Sequence, residues 1–101
     1  MRIDAATSST NPIVRLAGRN PLRNQGSLLL YLPRLSHVHV GVFDVAGRLV
    51  RTLIDRDMVP GSHEIPWDGR DEMGRELPAG LYLAQLRAGG RHVNHKVVLL
   101  H

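Results

Sequence analysis

Glycine and proline break this sequence at short, nearly regular intervals, and between the breaks apolar side chains recur at every second position. Residues 37–45 show it most cleanly. Val38, Val40 and Val42 point one way, while His37, His39, Gly41 and Phe43 point the other. Ser27 to Leu32 is a short apolar run between Gly26 and Pro33, too short for a helix and the right length for a strand. Asp44-Val45-Ala46-Gly47-Arg48 reads as a hairpin connection in which Gly47 supplies a positive φ. The chain returns over residues 49–54 and turns at Pro60-Gly61. It alternates again in His63-Glu64-Ile65-Pro66-Trp67, where Pro66 marks an edge or bulged strand because it has no N–H to donate. A connector over 68–80 carries Gly69, Gly74, Pro78 and Gly80. Two last strands, 81–87 and 92–100, flank a turn at 88–91. Nowhere do apolar residues recur at i, i+3, i+4, i+7 for three turns, so little or no helix is expected. The pattern predicts an all-β fold, an antiparallel β-sandwich of about seven strands.

The chain has 101 residues, one domain's worth. Residues 1–12 are small and polar, and Ile13-Val14-Arg15-Leu16-Ala17 is a β-prone bead closed by Gly18 and Asn20-Pro21. The expected organisation is a flexible N-terminal arm over 1–16, a possible extra strand, and a sandwich over 17–101. With no cysteine, a disulfide framework, a thiol nucleophile, a Cys-ligated zinc and an iron–sulfur centre are all excluded. No apolar run approaches the roughly 20 residues of a spanning helix, and no secretory h-region follows Met1-Arg2. The formal charge is +4. Its arginines are scattered, however, and no stacking aromatics are interleaved among them, which argues against nucleic acid as a partner.

Candidate chemical sites are few. Asp68 and Asp71, with Glu72 and Glu76 nearby, offer oxygen ligands of the kind calcium takes, but the spacing fits no EF loop and Arg70 and Arg75 sit among them. The plainer expectation is that Asp68 and Asp71 bond backbone N–H groups and shape the connector. His37 and His39 share a strand face without a visible third ligand, whereas His92 and His95 point to opposite faces. Ser62-His63-Glu64 contains the letters of a triad, yet neighbours on a strand diverge and cannot bond in series. Trp67, facing with Ile65, is expected to fill the core. The sequence therefore predicts no enzyme, no cofactor, no metal and no small-molecule substrate.

Several runs together resemble a known family. They are Asn20-Pro21-Leu22, then Leu28, Tyr31, Leu32 and Pro33, then Val42-Phe43-Asp44-Val45-Ala46-Gly47-Arg48-Leu49-Val50. Trp67-Asp68-Gly69-Arg70-Asp71 follows, with Gly74, Leu77-Pro78, Gly80 and Tyr82, and Lys96-Val97-Val98-Leu99-Leu100 comes last. In this order they look like the immunoglobulin-like domain of the flagellar hook-capping protein. The same module resembles the sorting domain at the C-termini of proteins exported by type IX secretion. The likeness covers about residues 17–101, and its most specific part runs from Trp67 to Tyr82. It implies a non-enzymatic module outside the cell or on the bacterial surface, serving secretion sorting, surface anchoring or assembly, with protein partners. Lys96, Val97, Val98, Leu99, Leu100 and the adjoining edge would be what the secretion machinery reads. Trp67, Asp68, Gly69, Asp71, Gly74, Gly80, Tyr82, Asp44 and Gly47 would be structural. The alternative is a subunit of an extracellular filament in which the arm, through Ile13, Val14 and Leu16, inserts as a strand into the next protomer.

Overall fold

The computed structural model describes the backbone of residues 15–18 and 22–23 and both backbone and side chains of residues 26–101. Ile13, Val14, the Asn20-Pro21 signal and most of the expected arm lie outside the described residues.

Eight strands form among the described residues, with no helix: β1 (Arg15–Gly18), β2 (Leu22–Arg23), β3 (Gly26–Leu32), β4 (Ser36–Phe43), β5 (Leu49–Met58), β6 (Gly61–Trp67), β7 (Gly80–Ala88) and β8 (Arg91–Leu100). Six are long and two are short, which brackets the expected count. The strands divide into a three-stranded sheet, β1-β3-β6, and a five-stranded sheet, β2-β8-β7-β4-β5. Among the described residues all the long pairings are antiparallel, and only the two-residue contact of Leu22 and Arg23 with Leu99 and Leu100 is parallel.

The period of two decides what lies inside. Leu28, Leu30 and Leu32 of β3 and Ile65 and Trp67 of β6 face Val38, Val40 and Val42 of β4, Tyr82, Ala84, Leu86 and Ala88 of β7, and Val97 and Leu99 of β8. These form one continuous buried cluster. Trp67 is 2% exposed and meets Tyr82 edge to face, the ring centroids 6.0 Å apart. The Tyr82 hydroxyl donates to the Pro78 carbonyl at 2.6 Å, pinning the entry to β7 as tyrosine corners do in immunoglobulin-like sandwiches. Burial pushes the Tyr82 phenol above its ordinary pKa, with the Asp44 charge adding to the effect.

Pro66 sits on β6 at the margin of the smaller sheet, where a missing N–H costs no ladder bond. The return strand is longer than the sequence suggests, because β5 continues through Asp55, Arg56 and Asp57 to Met58. Those polar residues read as a turn in isolation. Against β4 they are the outer positions of a sheet edge, opposite His39, Val38 and His37. The register between β4 and β5 shifts twice, at Val40/Gly41 and Val42/Phe43. The bead at 13–17 contributes β1, which pairs with β3 of the same chain: Arg15 lies opposite Tyr31, Leu16 opposite Leu30, Ala17 opposite Leu29 and Gly18 opposite Leu28. β1 therefore runs across the expected boundary between residues 16 and 17.

Leu81 and Leu86 lie on the same strand with opposite facings, 45% and 0% exposed. Leu86→Ala should cost about 2–5 kcal/mol in urea or thermal unfolding. Leu81→Ala, the same chemical change, should cost no more than about 0.5 kcal/mol. Equal losses would mean that the two-residue alternation does not set the core.

Candidate interaction surface

Most of the acidic groups singled out above are spent on turns. Asp44 Oδ1 accepts the N–H groups of Ala46 and Arg48 at 3.0 and 2.9 Å, and Asp44 Oδ2 takes the Arg48 guanidinium at 3.0 Å. The Asp44 carbonyl accepts from Gly47, whose φ of 85° is the left-handed conformation this turn needs. The same arrangement recurs in the connector. Asp71 Oδ1 accepts from Met73 and Arg75 at 2.9 Å each, Asp71 Oδ2 takes the Arg75 guanidinium at 3.0 Å, and Gly74 (φ 82°) donates to the Asp71 carbonyl. Both loops spell Asp-x-x-Gly-Arg, a repeat visible in the sequence itself. The Arg48 N–H holds the Asp44 carboxyl below the ordinary carboxylate range, with help from the guanidinium. The Arg75 N–H does the same for Asp71, and burial opposes the shift in both.

Asp68 has a second structural task. Its Oδ1 accepts the Arg70 N–H and the Arg51 guanidinium, each at 3.0 Å, while Arg51 also reaches the Arg70 carbonyl. Trp67 Nε1 donates to that carbonyl at 3.1 Å, and the Gly69 carbonyl accepts from Leu77. The connector is thus tied to the start of β5 through Arg51. Among the described residues no three His, Asp or Glu side chains converge on a point where a metal ion would sit.

Nor do Ser62, His63 and Glu64 converge. Ser62 and Glu64 are exposed on the outer face of β6, and the His63 ring turns to the Val59 carbonyl at 2.7 Å. His37 is held differently. Its Nε2 lies 2.8 Å from Asp55 Oδ1 and its Nδ1 lies 2.8 Å from Asp57 Oδ1. A neutral imidazole has one N–H and can donate to only one of them, so the arrangement calls for the cation. The bond to Asp55 first, then that to Asp57, raises the His37 pKa above 6.5.

An apolar strip faces outward. On the outer face of the five-stranded sheet, Phe43 stands across from Leu49 on one side and Leu83 on the other, and Leu81 stands across from Val98 in the next row. Val45, 80% exposed, overhangs them from the hairpin tip. Phe43, Val45, Leu81 and Leu83 line an open groove of about 430 Å³, with Lys96 and Gln85 at its rim. Further along the same face the rows become polar and then charged: Gln85 with Asn94, then His39 with Arg87 and Asp55, then His37 with Asp57.

The structure divides the C-terminal residues expected to be read by a partner. Val97 and Leu99 are in the core at 1% and 0% exposure, so their side chains are withheld from any partner. Lys96, Val98 and Leu100 alternate with them onto the outer face. At Leu99 and Leu100 the margin of β8 is occupied by β2, which narrows the expected adjoining edge. Of the arm's candidates, Leu16 is placed by its backbone opposite Leu30.

The class this geometry defines is an immunoglobulin-like β-sandwich with a filled interior and an outward-facing apolar strip. Sequence comparison narrows it: the FlgD Ig-like domain matches residues 23–91, and the chain belongs to that family. No curated protein sequence matches the chain. Among solved structures, FlgD from Pseudomonas aeruginosa is 26% identical with a TM-score of 0.58, over 88% of this chain and 74% of that one. The dimeric latent PorU of Porphyromonas gingivalis superposes over 98% of this chain at 19% identity with a TM-score of 0.73. PorZ of Porphyromonas gingivalis, an essential surface component of its type IX secretion system, gives 19% identity and a TM-score of 0.57 over 87% of the chain. At that identity PorU and PorZ share the fold. The chain spans only 10% and 11% of their lengths.

Because the folded state raises the His37 pKa above its unfolded value near 6.5, the stabilisation by this clamp is fully present below that value. It disappears as pH rises through the folded pKa. In an NMR titration His37 should show a midpoint above 6.5, and Asp55→Asn should bring it down. A midpoint at or below 6.5 in the native chain would mean that the two carboxylates do not hold the ring.

Proposed function

We propose that this chain is a non-catalytic interaction module, working outside the cell or on the bacterial surface in secretion sorting, anchoring or assembly. The outer face of β4, β7 and β8 is the part a protein partner engages. One observation carries the reading: Leu49, Phe43, Leu83, Leu81 and Val98 form a continuous apolar strip on the outer face, Leu49 and Leu81 exposed and the other three half-buried, on a sheet whose other face packs the core. Single exposed apolar residues need no explanation, but a contiguous strip rimmed by polar groups is the signature of a docking surface. Chemistry has no comparable support. Asp44, Asp68 and Asp71 fix turns, His37 bonds two carboxylates, His63 bonds a carbonyl, and the interior is packed with side chains. Membership of the FlgD Ig-like family and the fold shared with two proteins of Porphyromonas gingivalis, PorZ among them a secretion component, favour the sorting role.

In this reading the C-terminal strand contributes Lys96, Val98 and Leu100 to the engaged face, while Val97 and Leu99 hold the strand in place. The test attaches the full chain behind a reporter in a cell competent for type IX secretion. The native chain should deliver the reporter to the surface or medium. Leu81→Asp with Leu83→Asp should leave it inside at undiminished expression. Retention of the native fusion, or equal export of the variant, would refute the sorting role of this face.

A further inference from the structure

The sandwich carries apolar side chains on both of its outward faces. On the three-stranded sheet Leu29 and Tyr31, 55% and 44% exposed, stand two apart on the outer side of β3. Glu64 lies directly across from Leu29, Ser62 across from Tyr31 and Pro66 across from Ser27. The strip on the five-stranded sheet faces the opposite way, and Lys96 lies across from Leu83 at its side. A partner that covers one of these faces leaves the other in water.

We infer that the second face has a partner of the same kind as the first: another copy of this chain, stacked with its three-stranded sheet on the five-stranded sheet of its neighbour. This deepens the proposal above, and it rests on the reading of the strip as a docking surface. Three observations select a second copy. The first is charge. Glu64 is the charged side chain described on the smaller face, and Lys96 adjoins the larger strip, so the pairing is complementary in sign as well as in polarity. The second is size. The sandwich measures 48 × 23 × 23 Å, and a long face of these dimensions accommodates the roughly 800 Å² per partner of a standard interface.

The third observation is that two sheet edges are closed to pairing. Pro66 removes a donor from β6, and β5 carries Asp55-Arg56-Asp57 along its outer half. Along the inner half of β5, Glu72 accepts from Thr52 through Oε1, and its own N–H donates to the Val50 carbonyl. Faces, not these edges, are left for association. Because the two faces differ, the contact is head to tail. It does not close on itself by symmetry, and copies add in a row.

Analytical ultracentrifugation of the full chain tests this with two surface variants, Leu81→Asp on the larger face and Leu29→Lys on the smaller. Circular dichroism identical to the native chain would establish that both fold. The native chain should grow in mass from the 11.2 kDa monomer as concentration rises from about 10 μM to 1 mM, the range of a modest interface. Each variant alone should stay at the mass of a monomer, because its one intact face meets no intact face of the other kind. An equimolar mixture should associate through the one face each partner keeps intact, more strongly than either variant alone. A native chain that stays monomeric throughout would overturn the inference. So would association that survives in both variants, as exchange of edge strands would give. Export of the reporter is read separately, so a monomeric chain that is still exported through the larger face removes this inference and leaves the proposed function standing.

Discussion

The structure depends on burying every second side chain of five strands in a single interior. Val38, Val40 and Val42 meet Leu28, Leu30 and Leu32 across the sandwich, while Tyr82, Ala84, Leu86 and Ala88 lie beside Val97 and Leu99 in the same layer. Without cysteine to staple a chain of this size, its stability comes from that burial and from the ladders that align it. The same periodicity dictates what the outside looks like. A residue moved one place along β7 would pass from the core to the solvent face, so Leu81 and Leu83 are outside for the same reason that Tyr82 and Ala84 are inside.

Polar chemistry is used to set geometry. The two Asp-x-x-Gly-Arg turns are built alike, each aspartate accepting two backbone N–H groups and one guanidinium, and each glycine taking the left-handed conformation between them. One turn joins β4 to β5, and the other sits within the connector between β6 and β7. Arg51 and Asp68 then tie that connector to β5. Of the acidic residues that first invite a calcium reading, Asp68 and Asp71 bond the backbone N–H and guanidinium groups that shape the connector.

Much of the fold is legible in the sequence because it is written locally. Alternation marks the strands, Gly47 marks a hairpin, Pro66 marks an edge and Trp67 marks the core. What is less legible depends on neighbours that sequence order does not reveal. Asp55-Arg56-Asp57 looks like a turn until β4 brings His37 between its two carboxylates. The run Val97-Val98-Leu99-Leu100 is apolar throughout, so its composition cannot say which residues face inward, and the structure withdraws two of them from the surface. The strip of Leu49, Phe43, Leu83, Leu81 and Val98 comes from four strands. Its residues can be assigned to a face one strand at a time, but only the sheet order β8-β7-β4-β5 makes them contiguous. The Asp-x-x-Gly-Arg repeat, by contrast, is written locally and is plain in the sequence.

An immunoglobulin-like module with a packed centre acts through what it presents, and the decisive question is which methyl groups meet water. Methyl NMR in the presence of a soluble paramagnetic probe answers it directly, measured at concentrations low enough to keep the chain monomeric. The account predicts strong relaxation of the methyls of Leu49, Leu81 and Val45, and little or none for Leu86, Leu99 and Val40. Comparable relaxation of both groups, or protection of Leu81 and Leu49 in the monomer, would contradict it.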